Sequence, residues 1–265
     1  MRIRRGIDLY CTLFLAGLKA KLNYRADLFV MVIASVLSQG IGYLFLWVVF
    51  KQLPVVAGWT LPEVICVYAM ISITEGFISI FAEGLWGLSW VKHRGDFDAI
   101  ILRPVSPLLQ VLLSSVGLNG FGTILLGGTM MVYAAQKLPI TWTPLHLMVA
   151  IILFFSAVLM RFATVLISAA VGFWIESPFN PVLPVIHSFS SFARFPLTIY
   201  GRTLNLLLTF VIPFGFVSYY PMGWVLGKAH LGWIGLLTPA VALVFTVAGA
   251  WLFQRGLKEY EGAGN

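Results

Sequence analysis

Apolar residues gather along this chain into long blocks separated by short polar interruptions. The block 28–50 contains no charged residue. Lys51, Pro54 and Gly58 then mark a short turn, and a second apolar block covers 61–83. A polar stretch, 84–107, holds Lys92, His93, Arg94, Asp96, Asp98 and Arg103. Further apolar blocks cover 108–135 and 144–175, with Lys137 in the loop between them, and a last one runs over 231–253 before Arg255 and Lys258. About 20 apolar residues rising 1.5 Å each cross a hydrocarbon core of about 30 Å. These blocks predict transmembrane helices.

Region 176–230 breaks the pattern. Pro178, Pro181, Pro184, Pro196, Pro213 and Pro221 fall within it, yet its apolar content exceeds a single pass. Irregular backbone at membrane depth persists only where protein or a wet cavity satisfies it. The expected arrangement is a short fifth span at 180–195 followed by a re-entrant hairpin at 196–227, with a plain span at 205–227 as the competing assignment. With 231–253 as the sixth, the fold class is an all-α integral membrane protein of six transmembrane helices.

Composition agrees. Sixty per cent of the 265 residues are hydrophobic and only 10% charged, against about a quarter charged in soluble domains. One membrane domain over 1–265 uses the whole chain. Residues 3–22 place Ile3, Ile7, Cys11, Phe14, Leu15, Leu18 and Leu22 three or four apart. That spacing predicts an interfacial amphipathic helix within 1–26. Asp8 interrupts the apolar run and no small-residue cleavage motif follows, so this start is expected to be retained. The net charge of +7 follows the loops rather than a nucleic-acid-binding face. Eleven basic residues flank the blocks on one side and three, Lys51, Lys137 and Lys228, on the other. The positive-inside rule then places both termini in the cytoplasm, with basic residues near anionic lipid headgroups. Nucleic acid is not an expected partner.

Searches for chemistry return little. The chain has no phosphate-binding loop ending in Gly-Lys-Ser/Thr, no GxSxG elbow and no HExxH helix. His93, His146, His187 and His230 lie far apart, and Cys11 and Cys66 form no CxxC. No catalytic or metal site and no bound cofactor is expected. The informative charges are Glu75 and Arg161, each within an apolar block, where a charge is costly. Counted along their helices, their depths differ by only about 4–5 Å. They form either a structural ion pair or part of a substrate path. Glu63 and Glu83, near the ends of the second block, are expected to reach interfacial water. In 84–107, Gly95 permits a tight turn, Asp96 is expected to N-cap a short helix, the run Phe97–Leu102 offers an apolar face, and Arg103-Pro104 ends it. Such a helix suits docking on a soluble partner, or equally a membrane-surface loop anchored by Trp86 and Trp90.

GDFDAIILRPVSPLLQ and, further on, FARFPLTIYGRTLNLLLTFVIPFGFVSYYPMGWVLG resemble the type-2 permease class of ABC exporters, in its compact bacterial branch. The resemblance implies a permease without its own catalytic site in the bacterial cytoplasmic membrane. It implies a second permease chain, identical or related, and two copies of a separate ATPase holding ATP and Mg. Gly95, Asp96, Phe97, Asp98, Leu102, Arg103 and Pro104 would form the coupling element to that ATPase. The region of Pro196, Pro213 and Pro221 would be the re-entrant exit. Drug-like or lipid-like cargo fits the class. The chief rival is an ion-coupled secondary transporter using Glu75 and Arg161; a scaffold without transport activity is the other.

Overall fold

A computed structural model describes residues 14, 15, 17–19, 21, 23 and 25–260. The amphipathic helix expected over 1–26 lies largely outside the described residues. Helix α1 (Arg25–Gln52) is followed by a two-stranded hairpin, β1 (Val55–Val56) and β2 (Trp59–Thr60). Its turn residues, Ala57 and Gly58, both have positive φ (49° and 82°), the backbone that matches strand twist in two-residue hairpins. Helix α2 (Leu61–Ala82) begins beside Pro62, and Glu63 Oε2 accepts the Thr60 N–H at 2.8 Å. The expected end of this span at Glu83 is overrun: a 3₁₀ turn (Glu83–Gly87) and α3 (Leu88–His93) continue it. Helix α4 (Asp96–Ile101) follows Gly95, whose φ of 79° is left-handed.

The third span is not one helix over 108–135. It divides into α5 (Pro107–Leu113) and α6 (Asn119–Ala135). Between them the Gly117 N–H bonds the Ser79 carbonyl of α2 at 2.9 Å, a tertiary bond that replaces the helical one. Helix α7 (Pro144–Ala170) continues as a 3₁₀ turn to Trp174, close to the expected 144–175. In place of a fifth span over 180–195 stand the eight-residue α8 (Val182–Phe189) and a 3₁₀ turn at Phe192–Arg194. Eight residues rise only about 12 Å. Pro181 opens the element, and Pro196 restricts Phe195 just beyond the turn.

Helix α9 (Arg202–Leu206) continues as a π turn to Val211, and α10 (Tyr219–Val225) follows a 3₁₀ turn from Phe214. Arg202–Val211 and Phe214–Val225 are bent by 74° about the break at Pro213, which has no N–H to continue a helix. The last span starts later than 231: a short α11 (Gly232–Leu236) precedes α12 (Thr238–Lys258). Among the described residues four helices are long and apolar enough to cross a membrane, or five if the bent pair is one span. The expected six-helix count is not reproduced.

Contacts define two ends of the bundle. At one, Glu63 meets Lys228 at 2.8 Å and Lys228 also bonds the Gly58 carbonyl. At the other, Trp90 meets Phe179, and Tyr260 donates to Asp98 at 3.0 Å. The segment between 180 and 228 therefore passes from one end to the other. His187 lies against Glu75, Arg194 over Tyr68, and Tyr219 beside Trp59, climbing antiparallel to α2.

Helix α2 is the centre: 78% of its most apolar window is buried, against 11% for α1. It packs tightly on α6 because Gly76 and Gly120 face each other. A Cβ on Gly120 would lie 2.5 Å from the Gly76 carbonyl oxygen. Small residues of this kind are what let helix backbones approach in a bilayer.

Candidate functional site

Three helices deliver one polar group each to the same point inside the bundle. Glu75 comes from α2, Arg161 from α7 and His187 from α8. Arg161 is 1% exposed. Its Nη2 lies 3.9 Å from Glu75 Oε1 and 2.8 Å from His187 Nδ1, while His187 Nε2 lies 3.1 Å from the same Glu75 oxygen. Arg161 has only donors, so Nδ1 accepts; the neutral Nε2–H tautomer then donates to Glu75 and closes the ring. Glu75 and Arg161 cancel in charge, the condition under which an ion pair survives at membrane depth. Phe214, just after the Pro213 break, places its ring 5.1 Å from the guanidinium, which adds a cation–π contact.

The ring does not satisfy every group. Arg161 Nε is buried without a hydrogen-bond partner. Beside it opens a cavity of about 260 Å³ lined by Glu75, Ser79, Glu83, Trp86, Arg161 and His187, among others. Ser79 Oγ lies 3.1 Å from Glu83 Oε2 and 2.9 Å from Asn119 Oδ1. Glu75, Ser79 and Asn119 also wall a second cavity, of about 370 Å³, reaching Ser35, Ser38 and Gln39 of α1. Polar space thus runs from α8 across α2 to the least buried helix. Of the two acids expected in interfacial water, Glu83 lines the first cavity and Glu63 is held by Lys228 and the Thr60 N–H.

The 95–104 segment lies at the Trp90 end. Gly95, not Asp96, occupies the N-cap position of α4, and no side-chain cap bond forms. A left-handed residue is needed there to turn the chain, which moves Asp96 into the first helical turn, and it pairs with Arg94 at 3.3 Å on the surface. Phe97 is fully buried against Phe173 (5.5 Å) and Tyr260 (5.1 Å). Asp98 accepts from Tyr260. Leu102 is 85% exposed, and Arg103 and Pro104 are exposed beside it. Sequence reasoning counted Lys92 as a loop charge. Its Nζ instead donates to the carbonyls of Gly172, Phe173 and Ile175 at 2.8, 3.1 and 2.5 Å, satisfying the open end of α7.

The structure brings Glu75 and Arg161 together at 3.9 Å, and the 95–104 segment lines neither cavity beside them. Pro196, Pro213 and Pro221 are all buried in the broken region. His187 was the residue missed. Among the described residues no group of His, Cys, Asp and Glu is arranged to hold a metal ion.

No curated protein and no solved structure matches the chain. The family model for ABC-2 family transporter proteins matches residues 36–264. That range contains α2, α4, the buried ring and the broken 180–228 segment, and with its long apolar helices it makes the chain a multi-pass transport permease. The chain belongs to the ABC-2 transporter family.

Proposed function

We propose that this chain is the membrane-spanning subunit of an ATP-driven exporter that moves a drug-like or lipid-like substrate out of a bacterial cytoplasm. A second permease chain, identical or related, pairs with it in the inner membrane. Two copies of a separate ATPase dock beneath and hold ATP and Mg. The observation that carries this reading, within the family, is the mounting of α4. Its outer tip, Ile101 to Pro104, is exposed, while Phe97 of the same short helix is fully buried between Phe173 and Tyr260. A projection with a free tip and a rigid root transmits a push. Gly95, Asp96, Phe97, Asp98, Leu102, Arg103 and Pro104 form this coupling element.

In the same reading, both termini are cytoplasmic. The contact of Lys21 with Ser115 at 3.3 Å and that of Tyr260 with Asp98 support this, because both lie toward the Trp90 end. The cavity beside Glu75, Arg161 and His187 belongs to the substrate path, and the bent 196–227 region, with Pro196, Pro213 and Pro221, is the re-entrant exit.

The test is a tagged pull-down from native membranes in gentle detergent, with transport and ATP hydrolysis measured on what co-purifies. Asp96→Lys with Arg103→Glu is expected to leave the chain folded, since both side chains are on the surface and the Arg94–Asp96 pair contributes only about 0–1 kcal/mol. Hydrolysis should then continue without transport. Normal coupling in that double variant overturns the coupling assignment. Repeated purification without an ATPase overturns the exporter and returns the argument to ion coupling at Glu75 and Arg161.

A further inference from the structure

The Glu63 end of the bundle holds a polar chamber stacked on an apolar one. The first, of about 160 Å³, is lined by Glu63, Thr141 and His146. The second, of about 240 Å³, is walled by Cys66, Met70, Met131, Phe154, Phe155 and Met222. The two share Ile140, Val225 and Leu226. Helical geometry dictates the order. Glu63, Cys66 and Met70 are three and four residues apart on α2, so they line one face, polar at the helix end and apolar about 10 Å deeper.

Charge and hydrogen bonding define the head group. Glu63 is paired with Lys228 at 2.8 Å, so its carboxylate is not left free for a cation. His146 Nε2, by contrast, is buried without a hydrogen-bond partner, and its ring is fixed by stacking on Trp224 at 4.6 Å and against Trp142 at 5.4 Å. A hydroxyl satisfies that nitrogen in either tautomer. The apolar chamber has flexible methionine walls. At roughly the 30 Å³ a water molecule occupies, it has space for about eight methylene-sized groups. Its outer rim, Trp142, Leu147, Ile151 and Phe155, is exposed and admits a chain sideways from the bilayer.

We propose that these chambers form a binding site for a neutral, hydroxyl-headed single-chain amphiphile, such as a fatty alcohol or a monoacylglycerol. It is separate from the Glu75–Arg161–His187 cavity and does not depend on the exporter reading. Because lipid tails are as apolar as the chamber, chain burial alone gives little net drive. Selection comes from the hydrogen bond to His146.

The test uses the full chain in phosphatidylcholine nanodiscs with a medium-chain alcohol carrying a diazirine in its chain. Crosslinks are mapped by peptide mass spectrometry. Saturable labelling of Met70, Met131 or Met222, competed by monooctanoylglycerol, is expected. The hydrocarbon of the same chain, with no oxygen to donate or accept, should label at least tenfold less, about 1.4 kcal/mol. His146→Phe should give the same loss with the alcohol. Non-saturable labelling spread evenly onto Leu44 and Val48 of α1 overturns the site, as does equal labelling by the hydrocarbon. The hydrocarbon comparison uses the unaltered chain, so it decides the matter even if His146→Phe fails to fold.

Discussion

Replacing Glu75 by Gln leaves the Arg161 guanidinium buried without its counter-charge. The structure gives the scale. Two unit charges 3.9 Å apart in an effective dielectric of about 20 attract by roughly 4 kcal/mol. The Glu75 side chain is 23% exposed toward the cavity, so water there lowers the figure to about 3 kcal/mol. Breaking one half of a buried pair costs about 3–5 kcal/mol, whereas replacing both halves by apolar groups is often neutral. Glu75→Gln and Arg161→Met should therefore each destabilise by about 3 kcal/mol. The double variant should lose far less than their sum, with a coupling energy of about 3 kcal/mol. The assay is unfolding in mixed micelles of increasing dodecyl sulfate fraction, read by far-ultraviolet circular dichroism for all four proteins. His187→Leu should lower the measured coupling, because His187 bonds to both partners. Additivity of the two single losses within about 0.5 kcal/mol would refute the pairing.

Three further outcomes follow from the packing. Lys92→Met removes the donor to three carbonyls at the end of α7 and should cost about 1.5–3 kcal/mol, with amide exchange around 172–176 accelerated. Lys92→Arg should recover part of that. Gly120→Leu drives a side chain into the Gly76 carbonyl and should destabilise by about 1–3 kcal/mol or more, while Gly128→Ala, with open space around its Cβ, should be silent in the same unfolding assay. The Trp174 indole N–H and Arg255 hold the Glu259 carboxyl below its usual range. A depressed folded-state pKa means that the contact is present at neutral pH and is lost as pH falls through that lowered value, below the ordinary glutamate range near 4.3. Amide exchange in 255–260 should rise over that acid window and not in Glu259→Gln.

What the sequence made legible was set by charge. Helices α1 and α7 were plain because charges are scarce over more than twenty residues. Glu75 and Arg161 stood out for the same reason, and counting rise along two helices placed them at nearly one depth. The break between α5 and α6 left no such trace, since both flanks are apolar and its cause is the bond from Gly117 N–H to the Ser79 carbonyl, almost forty positions away. His187 was hidden by the prolines around it: without a secure register for 176–230 its depth could not be counted. Asp96 was misplaced by one position because a cap preference was weighed above the left-handed turn that Gly95 alone accepts there.

Helix α7 is where the two halves of the proposed mechanism meet. Its far end is gripped twice at the Trp90 end, by Lys92 on the carbonyls of Gly172, Phe173 and Ile175 and by Phe97 of α4 on Phe173. Eleven residues before Gly172, the same helix carries Arg161, about 16 Å away at 1.5 Å per residue. No proline interrupts α7 after Pro144, so it has none of the usual sequence cause of a kink. In the proposed cycle, a push on α4 would reach Arg161 through the Phe97–Phe173 contact and α7. A ring of three groups held by bonds of 2.8 and 3.1 Å and an ion pair at 3.9 Å cannot follow such a push continuously. It either moves as a unit or opens, and opening it exposes the guanidinium to the adjoining cavity. That discreteness is what a two-position transport cycle would use if the proposed path runs past Arg161.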